Sequence, residues 1–270
     1  MSGAVTDVAT GAGVKDLRRL LAPASGGGEG AGGAAPFTLV LVHHAGGSAA
    51  AFAPFARRFP ADWRVLAADL PGRLMAPDEP LCRSSREAVA FLAPRLRPLL
   101  TGPWAVFGHS MGALLAFETA RALAREGTPP VWAGLSAAPA PGHRQDGDQR
   151  HLWPRERLTA FLRELGGTPE DAFAMPDVLD GMLRVLRGDL AVVDTYRRHP
   201  GPPLDVPLTV FTGRDDAVAT AATAAPWREQ TTAATTYRSW PGGHFYLFDH
   251  VAAVCDTIAR EAAAARAALR

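Results

Sequence analysis

From Phe37 onward, short apolar runs rich in β-branched residues alternate with longer stretches of helical periodicity. Runs of this kind are typical of strands that are buried on both faces of a parallel sheet. Strands that alternate with helices predict the α/β class, a mostly parallel central sheet with helices on both faces. The predicted strands cover residues 37–42, 63–69, 104–108, 131–136, 208–213 and 235–240, and the predicted helices cover 85–100, 111–126 and 245–268.

One interval between two predicted strands is much longer than a crossover connection requires. About seventy residues separate the strand at 131–136 from the strand at 208–213. Within this interval, residues 155–165 and 177–198 have helical periodicity, and leucines recur there every three or four positions. A long insertion with its own helices is typical of a segment that covers an active site. We predict a helical lid at about residues 142–200.

The first 36 residues differ from the rest of the chain. Residues 22–35 are rich in Gly, Ala and Ser, a composition typical of flexible linkers, although Val14–Leu21 could form two helical turns. We predict a flexible tail at residues 1–36 and one α/β domain at residues 37–270. The sequence shows no secretory signal and no apolar run of about 18 residues that could cross a membrane.

Composition and charge narrow the possible partners. The chain has 270 residues, of which 47% are hydrophobic and 20% charged, values that are ordinary for a globular protein. Its net charge of +1 gives no general attraction to nucleic acid or to an anionic membrane. Cys82 and Cys255 are far apart and have neither metal-binding nor redox spacing, which is compatible with a reducing compartment. We expect a cytoplasmic monomer.

The strongest chemical signal is the segment Gly108-His109-Ser110-Met111-Gly112, which follows a predicted strand and begins a predicted helix. G-x-S-x-G in this context is the nucleophile elbow, a tight turn that exposes the serine hydroxyl above the sheet. The helix N-terminus behind the serine favours developing negative charge. The pattern predicts Ser110 as a nucleophile. The alternative is a glycine-rich turn with an idle serine.

A serine is a poor nucleophile unless a base accepts its proton. His244 follows the last predicted strand and precedes the last helix, the position of the base in such hydrolases. Asp215 and Asp216 directly follow the strand at 208–213, where the acid that orients the base is expected. The residues alone favour Asp216 and leave Asp215 open. We expect the side chain of His109, inside the elbow, to point away from the serine and to pack.

An oxyanion hole requires two backbone N–H groups. One comes from the residue after the nucleophile, here Met111. The loop at 43–48 follows the first predicted strand, and its glycines allow close approach to a substrate oxygen, so Ala45 is the expected second donor. We do not expect His43 and His44 to bind a metal, because adjacent residues of an extended chain point in opposite directions.

Taken together, these motifs resemble a known family. The chain resembles the type II thioesterases of polyketide and nonribosomal peptide assembly lines, which belong to the α/β-hydrolase superfamily. The resemblance covers nearly all of residues 37–260 in order. It is carried by HHAGGSA (43–49), ADLPGR (68–73), FGHSMGALLAFETA (107–120), LRVLRGDLAVVDTY (183–196), TGRDD (212–216) and WPGGHFYL (240–247).

The resemblance implies an α/β-hydrolase fold and a mechanism through an acyl-enzyme. It implies Ser110, His244 and Asp216 as the catalytic residues, and Ala45 and Met111 as the oxyanion hole. It further implies that the enzyme hydrolyses acyl thioesters on the phosphopantetheine arm of acyl or peptidyl carrier proteins, and so removes aberrant or stalled acyl units. No cofactor and no metal are expected.

The predicted lid offers candidates for partner and substrate contacts. Carrier proteins are typically acidic near their arm, so basic lid side chains could contact them, although solvated helix faces are the simpler interpretation. Apolar lid side chains could line an acyl channel or simply pack. Asp189 matches the family segment, and we assign it no catalytic task. The candidates are Arg155, Arg157, Arg163, Arg184 and Arg187 for the carrier, and Trp153, Phe161, Phe173, Met175 and Met182 for the channel.

Two other functions are compatible with the same motifs. A stand-alone carboxylesterase or lipase would use the same three side chains on small oxygen esters and would ignore the carrier. A catalytically idle relative could serve as a binding module, but such a protein has no reason to keep serine, acid and base together.

Overall fold

A mostly parallel β-sheet forms the centre of the computed structural model, which describes residues 13–17, 36–73, 79–143, 149–165 and 168–269. Within these residues the strands pair in the order β1-β3-β2-β4-β5-β6-β7, and every pair is parallel except β1 with β3. The predicted α/β fold is thereby confirmed. The strands are β1 (Val14–Asp16), β2 (Thr38–Val42), β3 (Arg64–Ala68), β4 (Trp104–His109), β5 (Trp132–Ser136), β6 (Leu208–Gly213) and β7 (Thr235–Trp240).

Helices connect the strands and cover the sheet. None of the helices within the described ranges is long and apolar enough to cross a membrane. The helix predicted at 245–268 is interrupted at His250, whose backbone leaves the helical region at φ −118° and ψ 32°. The helices are α1 (Ser85–Leu96), α2 (Met111–Arg125), α3 (Arg155–Leu165), α4 (Glu170–Phe173), α5 (Pro176–Asp194), α6 (Ala221–Ala224), α7 (Tyr246–Asp249) and α8 (Val251–Ala267).

The two faces of the sheet bury two separate hydrophobic clusters. Side chains alternate between the faces along a strand, so neighbouring residues of β2 belong to different clusters. Val40 and Val42 pack with apolar residues of α1 and α2, whereas Leu39 and Leu41 pack with residues of α8. Because both faces are covered, the strands read as continuous apolar runs, which is why they were visible in the sequence.

The N-terminal segment differs from the prediction. Residues 14–16 were expected either in a flexible tail or in a short helix, but they form the edge strand β1, which pairs antiparallel with β3. Val14 is buried, and Lys15 Nζ lies 2.6 Å from the buried carboxylate of Asp69. A strand of three residues is too short to leave a periodic pattern in the sequence, because it is held in place by its pairing with β3 and by this ion pair. The remainder of the predicted tail, apart from residues 13, 17 and 36, lies outside the described residues.

The long connection between β5 and β6 contains α3, α4 and α5, which we call the lid helices. They share a hydrophobic cluster of their own, and Ala45 from the loop after β2 packs against it. The lid helices therefore touch the loop that was expected to contribute to the oxyanion hole. The buried members of this cluster are Leu158, Leu162, Leu179, Leu183, Leu186 and Leu190.

The start of α2 packs so closely on β2 that it tolerates no side chain at Gly112. A Cβ atom there would lie 2.1 Å from the carbonyl oxygen of Val42, and a backbone oxygen cannot move aside as a side chain can. We expect Gly112→Ala to lower the free energy of unfolding by about 3 kcal/mol or more, the upper end for overpacked sites.

Gly181 in α5 is the matched control, because a Cβ atom there would have nothing within 4 Å. We expect Gly181→Ala to raise the free energy of unfolding by about 0.5–1 kcal/mol, since alanine is the better helix former. Urea unfolding of both variants measures the difference. Equal stabilities would contradict the close packing at the start of α2.

Candidate active site

The turn between β4 and α2 holds Ser110 in a strained backbone conformation, with φ 57° and ψ −118°. Residues in such sparsely populated regions persist only where their surroundings hold them. The Ser110 N–H donates to the carbonyl oxygen of Ser136, 2.7 Å away. A Cβ atom at Gly108 would lie 2.0 Å from the carbonyl oxygen of Gly112, so the glycines of the motif are required for the tightness of this turn.

The side chains of Ser110, His244 and Asp216 form one chain of hydrogen bonds. His244 Nε2 lies 2.9 Å from Ser110 Oγ, and His244 Nδ1 lies 2.9 Å from Asp216 Oδ2. Because an ionised carboxylate can only accept, we assign the ring hydrogen to Nδ1, which leaves Nε2 as the acceptor of the serine proton. The structure thus brings together the three side chains that the sequence singled out.

The neighbouring strands β6 and β7 bring the acid and the base to the same edge of the sheet. Beyond the strand ends, the Arg214 N–H donates to Trp240 O at 2.9 Å, and the Asp215 N–H donates to Gly242 O at 3.0 Å. The Asp215 carboxylate accepts from the Gly242 N–H at 3.2 Å. Asp215 therefore holds the turn before His244, whereas Asp216 contacts the imidazole itself.

The environment of Asp216 favours its charged form. The carboxylate is 4% exposed, and its second oxygen accepts from the N–H groups of Val218 (2.8 Å) and Ala219 (3.1 Å). Burial raises the pKa of Asp216, but the hydrogen bond and charge of His244 and these two N–H groups outweigh it, so the pKa lies below its usual value. A charged carboxylate at this point stabilises a protonated His244.

The loop after β2 forms a β-turn beside the serine. Gly47 N–H donates to His44 O at 3.1 Å, and Gly46 has a φ of +76°, the combination that defines a type II turn. Ala45 is the second residue of this turn. Met111 is the first residue of α2, so its N–H has no acceptor within the helix. Both residues line the same cavity as Ser110, as predicted for an oxyanion hole.

A cavity of about 280 Å³ opens beside Ser110 and His244. Its walls include apolar residues from α2 and α5 together with Phe161 of α3. Of the other residues predicted for an acyl channel, Trp153, Phe173 and Met182 pack within the lid cluster, and Met175 is 54% exposed. Phe161 is therefore the predicted channel residue that lies at this cavity.

The predicted carrier-binding arginines are engaged within the lid and its surroundings. Each has a contact inside the chain. Arg155 pairs with Asp180, Arg157 lies over the ring of Trp153, Arg163 pairs with Glu170, Arg184 donates to Gly72 O and Arg187 donates to His151 O.

A buried network supports the ring of His244 from behind. His109 is fully buried, its ring centroid lies 5.3 Å from that of His244, and its Nδ1 lies 2.8 Å from Ser136 Oγ. Ser136 Oγ is in turn 2.7 Å from the hydroxyl of Tyr246. The packing role predicted for His109 fits this arrangement. Sequence reasoning missed Ser136 and Tyr246, because residues without a local motif gain their role only through contact.

The histidines around the site are held neutral. Burial, followed by the positive charges of His244 and Arg73, lowers the pKa of His44 to about 4. Burial likewise holds the pKa of His43 and of His109 well below the usual value, with contributions from Arg73 and His244 respectively. Neutral neighbours leave His244 as the side chain that takes up the proton of Ser110.

The neutral state of these histidines makes the fold sensitive to acid. In the unfolded chain they bind protons below a pH of about 6.5, whereas the folded protein does not accept them until the pH is much lower. The unfolded state therefore gains protons first, and stability is lost as the pH falls. We expect the free energy of unfolding to decrease from pH 7 to pH 5 with a slope that approaches ~4 kcal/mol per pH unit for His43, His44 and His109 together.

Urea unfolding at pH 7, 6 and 5 measures this slope. His43→Gln removes one of the titrating groups and should reduce the slope by about a third. A free energy of unfolding that does not change over this range would contradict the neutral state of the buried histidines.

Among the described residues, no group of three or more His, Cys, Asp or Glu side chains is placed to hold a metal ion.

Comparisons with known proteins identify one family. Residues 37–261 match the thioesterase domain family. The chain is 34% identical over 217 residues to the gramicidin S biosynthesis protein GrsT of Aneurinibacillus migulanus, covering 80% of this chain and 85% of that protein. It is 35% identical over 222 residues to the thioesterase PikA5 of Streptomyces venezuelae, covering 82% and 79%.

Two solved structures of thioesterases superpose on this chain. The type II thioesterase BorB from the borrelidin biosynthetic cluster superposes with a TM-score of 0.81 at 36% identity, covering 93% of this chain and 97% of that one. The RedJ thioesterase from the prodiginine pathway of Streptomyces coelicolor superposes with a TM-score of 0.76 at 34% identity, covering 84% and 95%.

Proposed function

Because the chain belongs to the thioesterase domain family, we propose that it hydrolyses acyl thioesters carried on the phosphopantetheine arm of acyl or peptidyl carrier proteins. The relatives named as thioesterases and as antibiotic biosynthesis proteins support a role in polyketide or nonribosomal peptide assembly. In such a pathway the enzyme would remove aberrant or stalled acyl units and return the carrier to use.

One observation carries this proposal: Ser110, His244 and Asp216 are joined by hydrogen bonds, and Ser110 and His244 line the same cavity as Ala45 and Met111. The arrangement supports nucleophilic attack on an acyl carbon. The cavity offers space for the acyl chain.

The first half of the reaction forms an acyl-enzyme. His244 Nε2 accepts the proton of Ser110 while Ser110 Oγ attacks the thioester carbonyl carbon. The carbonyl oxygen becomes an oxyanion, which the N–H groups of Ala45 and Met111 stabilise, each by about 3–4 kcal/mol. The carbon–sulfur bond then breaks, and the thiolate of the arm leaves and takes up the proton from His244 Nε2, which returns the imidazole to its neutral form. Because a thiol has a pKa of about 8.5, its departure needs little help from an acid.

The second half releases the product. Water takes the place of the thiol, and His244 accepts its proton as the water oxygen attacks the ester carbon. The bond between the acyl carbon and Ser110 Oγ then breaks, and the proton returns from His244 to the serine. The products are the free acid and the carrier with a free thiol. Asp216 remains a carboxylate throughout and stabilises the protonated imidazole.

Mass spectrometry of a carrier protein loaded with a short acyl chain tests the proposal. With the enzyme present, we expect the carrier to lose the mass of the acyl group and to return to its free-thiol form. The same acyl group as an N-acetylcysteamine thioester and as a small oxygen ester provides the comparison. We expect the value of kcat/KM for the loaded carrier to exceed that for the truncated thioester by about 10-fold or more.

Fast hydrolysis of the oxygen ester with no loss of acyl mass from the carrier would contradict the proposal and favour the stand-alone esterase. The monomeric state, the cytoplasmic location and the lack of a cofactor remain predictions. Size-exclusion chromatography with light scattering tests the first of these.

A further inference from the structure

A buried carboxylate from the lid contacts the loop of the proposed oxyanion hole. Asp189 lies in α5 and is 1% exposed. Its Oδ2 accepts the N–H of Gly46 at 2.7 Å and forms an ion pair with the guanidinium of Arg73. The mechanism above does not use this residue, and a charged side chain within the apolar stripe of a helix is costly to bury unless it is paired.

The acceptor lies opposite the central peptide of the turn that presents Ala45. In the type II turn from His44 to Gly47, the central peptide joins Ala45 to Gly46, and its N–H is the one that Asp189 accepts. Type I and type II turns differ by a rotation of this peptide. With the carboxylate in place, the rotated form would bring the Ala45 carbonyl oxygen against a negative charge, so Asp189 selects the type II form.

Arg73 completes the arrangement from the other side. It is 6% exposed, donates to Pro71 O at 3.0 Å and lies 3.4 Å from Gly47 O. Without a positive partner, the negative charge of the Asp189 carboxylate would destabilise an oxyanion that forms nearby. The guanidinium neutralises that charge and contacts the end of the turn, so the pair holds the turn between an acceptor for its N–H and a donor for its carbonyl.

We propose that the Asp189–Arg73 pair is the positioning element of the oxyanion hole, and that it joins the lid helix α5 to the turn that presents the Ala45 N–H. This inference depends on the proposed function, because it concerns the same site. Neither side chain touches the reacting atoms. Both act through the turn, whose fixed conformation keeps the donor aimed at the oxyanion before the reaction begins.

The test compares catalysis per active site with stability. In Asp189→Ala the Gly46 N–H loses its acceptor, so the two peptides that meet at the Ala45 Cα atom, one of which carries the Ala45 N–H, are held less firmly. We expect kcat to fall by roughly 30–100-fold with KM within about 3-fold of wild type, because the Ala45 N–H acts on the transition state. A trifluoromethyl ketone, whose adduct with Ser110 places an oxyanion in the hole, should lose affinity by a similar factor. Titration with a fluorophosphonate counts the active sites, so unfolded protein does not enter kcat.

Asp189→Asn serves where the alanine variant fails to fold. Its amide oxygen still accepts from the Gly46 N–H, so we expect a smaller loss of about 10-fold in kcat. Glu118→Gln is the matched control, since Glu118 is fully buried, pairs with Arg121 and lines no part of the cavity. It should lower the melting temperature but leave kcat per active site within about 2-fold of wild type.

Asp189 variants that are less stable but keep kcat and ketone affinity within about 3-fold of wild type would overturn the inference and leave the pair a structural one. A rise in KM with kcat unchanged would overturn it as well, because it would assign Asp189 to substrate binding. If the wild-type enzyme released no acyl group from any thioester, the proposed function would fail, and the fluorophosphonate and ketone measurements would still report on the turn.

Discussion

Ser110→Ala is expected to lower kcat for acyl thioester hydrolysis on the order of 10⁶-fold, as removal of the nucleophile does in other serine hydrolases. The reason is that His244 Nε2 would then have no hydroxyl to deprotonate at 2.9 Å, and no acyl-enzyme could form. The Ala45 and Met111 N–H groups would remain, so a small residual acceleration over water is expected. A coloured thiol reagent that follows release of the free thiol measures the rate.

Ser239→Ala is the matched control, because Ser239 is an exposed residue of β7. It should retain full activity. The Ser110→Ala protein should keep the wild-type circular dichroism spectrum and a melting temperature within a few degrees, since the substitution removes one oxygen and leaves the backbone turn in place. A variant that keeps more than about 1% of wild-type kcat would contradict Ser110 as the nucleophile.

Asp216→Asn is expected to lower kcat on the order of 10⁴-fold. An amide at this position can donate to His244 Nδ1, where the carboxylate can only accept, and would favour the tautomer with hydrogen on Nε2. That tautomer cannot accept the proton of Ser110. The variant also loses the negative charge that stabilises the protonated imidazole, so both effects lower the rate.

The neighbouring aspartate gives a matched comparison. Asp215→Asn removes one carboxylate from the same loop, but its carboxylate contacts the Gly242 N–H and not the imidazole. We expect kcat within about 3-fold of wild type, since an amide oxygen can accept the same hydrogen bond. The pH profiles of kcat/KM for both variants complete the measurement. A larger loss in Asp215→Asn than in Asp216→Asn would contradict the assignment of the acid.

Residues in local motifs were the ones that sequence reasoning could place. Ser110 is recognisable because the turn that exposes it requires glycines at positions 108 and 112, which leaves a pattern in the chain. His244 and Asp216 follow strands, and strands buried on both faces are readable as apolar runs. The boundaries of α3 also match the prediction, because its apolar positions recur with helical spacing.

Features that depend on distant contacts were missed or placed wrongly. Residues 14–16, predicted as part of a flexible tail in which a short helix could form, are the strand β1, which is held by pairing with β3 and by the ion pair of Lys15 with Asp69. The lid arginines that are candidates for carrier contacts each have a contact within the chain, which the sequence alone did not indicate. The sequence does place the carboxylate of Asp189 within the leucine stripe of α5, which indicates that it is buried. The sequence does not indicate which group pairs with it.

The order of residues along this chain was enough to predict its fold class, Ser110 as the nucleophile, His244 as the base and Asp216, ahead of Asp215, as the acid, because each prediction depends on a few neighbouring residues and on strand order. Only the tertiary structure shows the hydrogen bond between Asp216 and His244 and brings Asp189 to Gly46, 143 residues away. The physical reason is the separation along the chain of the groups that interact. Backbone turns and periodicities are set by neighbours in sequence, whereas hydrogen bonds and ion pairs form over a few ångströms between groups that any length of chain can separate.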